Sequence, residues 1–218
     1  MTDYCHTIIN ELDDRISELT YEQNNSLVSY ENAIVLVLQK IEEVKKHIQE
    51  KGFKDAEEEI LFFKQLKPQL VSKLIFFNSI YKIETKRPRG GDKIIRKYLN
   101  IELSKIKRYF DANLEFYKYY RTNSTHLDNK YFVRGKHDIK LSLDTYYFEA
   151  DHNFTTSHDY KVAKIIANDL IQVYLEDQLN NNSQKRIWEN PPLNWTGSKT
   201  SLIELIYSLH SQGSIDNG

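Results

Sequence analysis

Apolar residues in this chain recur at three- and four-residue steps over stretches too long to be strands. Ile8, Ile9, Leu12, Ile16 and Leu19 mark the first, predicting an amphipathic helix over residues 3–22. Asn24, Asn25 and Ser26 interrupt it and can cap a second helix. That helix runs through Leu27, Ala33, Ile34, Leu38, Ile41, Val44 and Ile48 to a stop at Gly52. Asp55, Glu57, Glu58 and Glu59 then crowd acidic charge into a first turn, where the helix dipole favours it. Pro68 either kinks that helix or starts a new one at its first position, carrying Leu70 to Tyr81. Seven glycines and four prolines in 218 residues leave little room for a strand-and-turn architecture. Three or four such helices joined by short polar turns make an up-and-down bundle.

Residues 85–91, Thr-Lys-Arg-Pro-Arg-Gly-Gly, form the clearest punctuation and read as a loop or domain linker. Asp92 can cap the next helix, in which Ile95, Leu99, Leu103, Ile106, Phe110, Leu114 and Tyr117 keep the period to about Arg121. Beyond Asn123 the pattern shortens. Tyr131–Gly135 reads as a short strand or an extended turn, and residues 138–149 are ambiguous between strand and helix. A polar loop from Asp151 ends at Ser157 in an N-cap, and a helix over 158–179 follows, closed by Asn180, Asn181, Asn182 and Ser183. Pro191 and Pro192 break the chain again. Ser198 or Thr200 caps a last helix whose Leu202, Ile203, Leu205, Ile206 and Leu209 supply a buried stripe, with Trp195 packed beside it and Gly213 as terminator.

Composition excludes several classes. A chain 40% hydrophobic and 28% charged is neither disordered nor membrane-embedded, and no uncharged apolar run approaches the roughly 20 residues a bilayer requires. The single cysteine, Cys5, forbids an internal disulfide and fits a reducing cytoplasm, and Asp3 stands where a signal peptide would be basic. No Gly-rich phosphate loop, nucleophile elbow or His-Glu-x-x-His is present, so no enzyme is expected. His152 and His158, with Asp151 and Asp159, are the one grouping that suggests a metal. Turn-forming composition explains them, and neither metal nor cofactor is expected.

Charge is distributed unevenly. Residues 1–81 carry a net −5, residues 82–140 hold 16 Lys/Arg against 7 Asp/Glu for +9, and residues 141–218 return to −5. Such a block either presents a basic face to a polyanion or forms an internal interface with the acidic ends. Lys93, Arg96, Lys97, Lys105, Lys107 and Arg108 lie on one helix, after Lys86, Arg87 and Arg89; Lys130, Arg134, Lys136 and Lys140 follow. A track of long cationic donors is what phosphate recognition needs. The Arg134-Gly135-Lys136 turn has the look of a wing. Lys199 and Thr200, at a helix start, either bind a phosphate or belong to an ordinary cap.

The strings "LNWTGSKTSLIELIYSLHSQGSIDNG" and "YFVRGKHDIKLSLDTYYFEADHNFTTSHDYKVAKIIANDLIQVYL" (residues 131–175) resemble the RteC family, regulators of excision of tetracycline-resistance mobile elements in Bacteroides-type bacteria. The resemblance implies a cytoplasmic bacterial transcriptional regulator, read as an activator of excision genes on a conjugative transposon. It also implies a C-terminal helix-turn-helix or winged-helix element. The expected fold is all-α with at most short strands, an acidic bundle over 1–84 and a DNA-binding domain over 92–218. The expected DNA contacts are Arg134, Lys136, Lys140, Lys161, Lys185, Arg186, Lys199 and Thr200. The expected partner is double-stranded DNA, bound as a homodimer on inverted half-sites. The alternative is a helical adaptor that binds another regulatory protein and never touches DNA.

Overall fold

A computed structural model of the chain describes residues 1–22, 26–141, 143–189 and 198–212. Ten α-helices are described: α1 (Thr2–Glu22), α2 (Leu27–Lys51), α3 (Ala56–Leu61), α4 (Lys67–Thr85), α5 (Asp92–Ala112), α6 (Leu114–Arg121), α7 (Asp128–Tyr131), α8 (Tyr146–Glu149), α9 (Asp159–Glu189) and α10 (Lys199–Ser211). No strand occurs among the described residues, so the fold is all-α; of the two readings of 131–135, a short strand or an extended turn, the turn is the nearer, since Tyr131 ends α7 and a bend and turn follow.

The first bundle forms as the periodicity requires. The α1 and α2 helices run antiparallel: Tyr4 stacks on His47 and its hydroxyl donates to Glu43, while Lys40 pairs with Glu11. Ser26 caps α2, accepting from Ser29 N at 3.2 Å. Gly52 ends it at φ 70°, a left-handed conformation that favours glycine, and its N–H donates to the Ile48 carbonyl. Asp55 caps α3 by accepting from Glu58 N at 2.8 Å, and the Glu58 carboxylate accepts from Lys54 N at 2.7 Å. Asp55→Ala is expected to cost about 1 kcal/mol, seen as a lower urea midpoint with an unchanged slope.

Pro68 stands in the first turn of α4, the second of its two expected readings, although α4 is entered without a break in helix. A π-helical turn, Phe62–Leu66, joins α3 to α4, with Lys67 N–H reaching back to the Phe62 carbonyl. One extra residue in the turn accommodates a proline that cannot donate. The same turn directs Phe62, Phe63, Lys64 and Lys67 inward together; all four are buried.

The helices of residues 92–179 pack into the same core as α1–α4. Buried residues from Cys5 to Leu175 form one cluster, and the compact unit runs from Met1 to Leu179. The 85–91 segment is therefore a loop inside this unit, and the chain divides instead at Asn180, where the second unit, Asn180–Gly218, begins. Within the first unit α9 runs parallel to α4: Asp159 meets Lys67 near one end, and Tyr174 donates to Glu84 at 2.9 Å near the other. The α5 helix runs antiparallel to both, with Tyr98 donating to the Ile83 carbonyl and Lys161 to Asn113. Asn113, at φ −120°, separates α5 from α6 where one continuous helix was expected.

Two further expectations are corrected. Asn180–Ser183 does not end α9, which continues to Glu189. In the second unit Ser198 caps α10, accepting from Ser201 N at 3.1 Å, but Ile203 and Leu205 are exposed rather than forming a buried stripe. Pro191, Pro192, Trp195 and Gly213 lie outside the described residues.

Candidate nucleic-acid interface

Among the described residues, a dense group of exposed cations lies on the outer face of α5. Ile95, Leu99, Leu103, Ile106 and Phe110 turn inward, with Leu99 and Ile106 fully buried. The 3.6-residue period then turns Lys93, Lys97, Lys105, Lys107 and Arg108 to solvent, accompanied by the exposed carboxylate of Asp111. Lys105 is held by Glu102 at 2.6 Å and Arg108 Nε donates to the Ser104 carbonyl, while Lys93, Lys97 and Lys107 form no ion pair among the described residues. At 1.5 Å per residue the cations from Lys93 to Arg108 span roughly 22 Å, about two thirds of a turn of duplex DNA.

The predicted contacts fare unevenly against this geometry. Arg134 is turned inward: its Nε lies 2.6 Å from Glu59 Oε1, its Nη1 donates to the Asn153 carbonyl, and its guanidinium covers the Phe53 ring at 4.8 Å. Gly135, at φ 70°, makes the turn, but no strands flank it among the described residues, so it is not a wing built on a hairpin. Lys136 and Lys140 are exposed and form no ion pair among the described residues, whereas Lys130 pairs with Asp138 at 3.1 Å. Lys161 does not reach the surface. It is 5% exposed, and its Nζ donates to Asn113 Oδ1 at 3.0 Å, tying α9 to the break between α5 and α6. Lys185 and Arg186 lie in the part of α9 beyond Leu179. Lys199 and Thr200 are exposed in the first turn of α10.

The His152/His158 grouping dissolves. His158 is 1% exposed, wedged against Phe116 and Tyr131, with Nδ1 2.9 Å from Ser157 Oγ and Nε2 2.9 Å from the Leu141 carbonyl. Both ring nitrogens are engaged, and His152 packs on the Tyr147 ring instead.

The sequence reading passed over two buried lysines on the π turn. Lys64 reaches both oxygens of Asp128 at 2.9 Å and the Ser124 carbonyl, and Tyr119 donates to the same carboxylate at 2.8 Å. Burial and then that carboxylate push the Tyr119 hydroxyl pKa well up. Lys67 binds Asp159, the Phe154 carbonyl and Thr155. These pairs fasten the second half of the first unit onto α3–α4.

The model of the family described as RteC protein matches residues 61–218. The chain belongs to the RteC family. The match begins at Leu61, so the π turn with Lys64 and Lys67 falls within the RteC region, and α1 and α2 precede it. RteC membership is consistent with a regulator of transposon excision. No curated protein and no solved structure matches the chain significantly.

Proposed function

We propose that this RteC-family protein is a DNA-binding transcriptional regulator that activates mobile-element excision genes and has no catalytic activity of its own. The observation that carries the reading is the outer face of α5, where five exposed cations accompany one carboxylate. Cations gathered on one face of a helix suit sequence-independent contact with phosphates, which positions a protein on its site. Lys136 and Lys140, without an ion pair among the described residues, add two exposed cations. In the second unit, the end of α9 and α10 are the helices from which a helix-turn-helix element would be built, with Lys199 and Thr200 at the α10 N-terminus as phosphate contacts. Two copies on inverted half-sites are the expected assembly.

Fluorescence anisotropy against duplexes from upstream of the excision genes tests this. One duplex is expected to bind saturably over competitor DNA. The triple variant Lys93→Glu/Lys97→Glu/Lys107→Glu is expected to lose at least tenfold in affinity and to flatten the salt dependence by about 0.9 in log–log slope per lost contact. Lys161→Met, at a buried site, is expected to leave that slope unchanged. Equal binding to every duplex that vanishes at physiological salt would reduce the α5 face to a generic cationic patch, and a helical adaptor would become the better reading.

A further inference from the structure

A cavity of about 400 Å³ opens between α4, α5 and α9 in the first unit. Its floor is apolar, formed by Ile83, Ile106, Ile171 and Leu175, all buried. Tyr98 and Tyr109 of α5 add two aromatic walls, and the side of Asn168, itself 5% exposed, completes the inner end. The volume lies within the range of pockets that hold small organic molecules.

Its charge is one-sided. Lys82 enters from α4, Lys86 from the residue that caps its end, Lys105 from α5 and Lys164 from α9. Glu102 is the one carboxylate lining the cavity, and it is already committed to Lys105 at 2.6 Å. No carboxylate of the described residues forms an ion pair with Lys82, Lys86 or Lys164. Lys164 is partly withdrawn from water, its ammonium 6.0 Å from the centre of the Tyr109 ring. Burial, and secondarily the Lys82 ammonium, hold its pKa below the ordinary lysine value, against a smaller opposing pull from Asp144. Converging ammonium groups beside an apolar floor raise the energy of the empty site, and an anion entering it would relieve their repulsion.

We propose that this cavity binds a small organic anion, with an apolar or aromatic body seated on the Ile83–Leu175 floor and phosphate or carboxylate oxygens met by Lys82, Lys86 and Lys164. The pocket faces away from none of the requirements of such a ligand: stacking surface, hydrogen-bonding amide and unneutralised cations all line one space. Of the exposed cations of α5 it shares Lys105 alone, which Glu102 already holds; Lys82, Lys86 and Lys164, which would meet the anion, lie off the outer face of α5.

The test uses 8-anilinonaphthalene-1-sulfonate, an aromatic anion whose fluorescence rises in apolar sites, titrated into the full chain without DNA. One molecule per chain is expected to bind saturably. Lys164→Met and Lys82→Met are each expected to weaken binding about tenfold, and Lys93→Met on the outer face of α5 to leave it unchanged. Inorganic pyrophosphate and citrate serve as competitors, and the stronger of the two identifies a phosphate or a carboxylate ligand. Binding indifferent to Lys164→Met and Lys82→Met, or displaced by neither competitor, would be adsorption to exposed apolar surface and would overturn the proposal. Should Lys164→Met fail to fold by circular dichroism, Lys82→Met and Lys86→Met decide the matter, because both side chains are exposed at the mouth.

Discussion

Lys67→Met is expected to lower the stability of the first unit by roughly 3–5 kcal/mol, the range for removing one partner of a buried ion pair. Asp159 is 2% exposed, and the substitution would leave its carboxylate without a cation while orphaning the Phe154 carbonyl and Thr155 hydroxyl. The cost comes from uncompensated burial rather than from the worth of the pair. Adding Asp159→Asn should therefore recover most of it, since the amide keeps the shape and can still accept from Thr156 N. Lys40, by contrast, bridges the half-exposed carboxylates of Glu11 and Glu43, and Lys40→Met should cost about 1 kcal/mol or less. Urea unfolding of the parent and these three variants measures all of this. A Lys67→Met penalty no larger than that of Lys40→Met would mean that water reaches Asp159 and that the pair does not fasten α9 to α4.

The helices were legible because their signal is local. A stripe such as Ile8–Leu12–Ile16 needs no partner to declare its period, and caps such as Ser26 and Asp55 act within one turn. The division of the chain was not legible in the same way. Pro88, Gly90 and Gly91 do stop a helix, but whether a loop separates two cores depends on what the next helix packs against, and Leu99 and Ile106 belong to the same core as Leu12. Asn180–Ser183 misled for the converse reason. Asparagine is a mediocre helix former, costing only tenths of a kcal/mol per residue, and α9 continues through it.

Charge in a sequence likewise gives position without partner. Arg134 looked like a wing-tip cation and is instead bound to Glu59, 75 residues away, while Lys161 looked like a contact near a helix start and is buried against Asn113. Lys64 and Lys67 had no distinguishing pattern at all, because their burial follows from a π turn set by Pro68 rather than from periodicity. The α5 face could have been separated from the rest. Its apolar residues fix the inner side, so Lys93, Lys97 and Lys107 follow on the outer side from spacing alone.

The pH dependence of stability should carry the signature of His158. Burial, and then the neighbouring Lys161 ammonium, lower its pKa to about 4, against weaker support for the charged ring from the Leu141 carbonyl and Asp144. In the unfolded chain the ring titrates near 6.5, so both states are neutral above that pH and the group contributes no slope. As the pH falls below about 6.5 the unfolded chain takes up a proton that the folded chain refuses. Stability should then decline by roughly 3 kcal/mol by the time the pH reaches about 4. Asp138 and Asp151, held below the ordinary carboxylate range chiefly by Lys130 and Lys45, contribute their own loss only once the pH falls to about 4 and below. Between pH 6.5 and 4 the histidine sets the downward slope, while Asp169, whose folded carboxyl is held above the ordinary value by burial, takes up its proton early and adds some stability near the lower end. His158→Gln, whose amide can still meet the Leu141 carbonyl, should be less stable than the parent at pH 7 yet nearly flat across that window. Urea midpoints at half-unit intervals would show it. A parent whose stability is level from pH 6.5 to 4.5 would mean that His158 gains its proton without unfolding, and that the contacts around Phe116 and Tyr131 open to admit water.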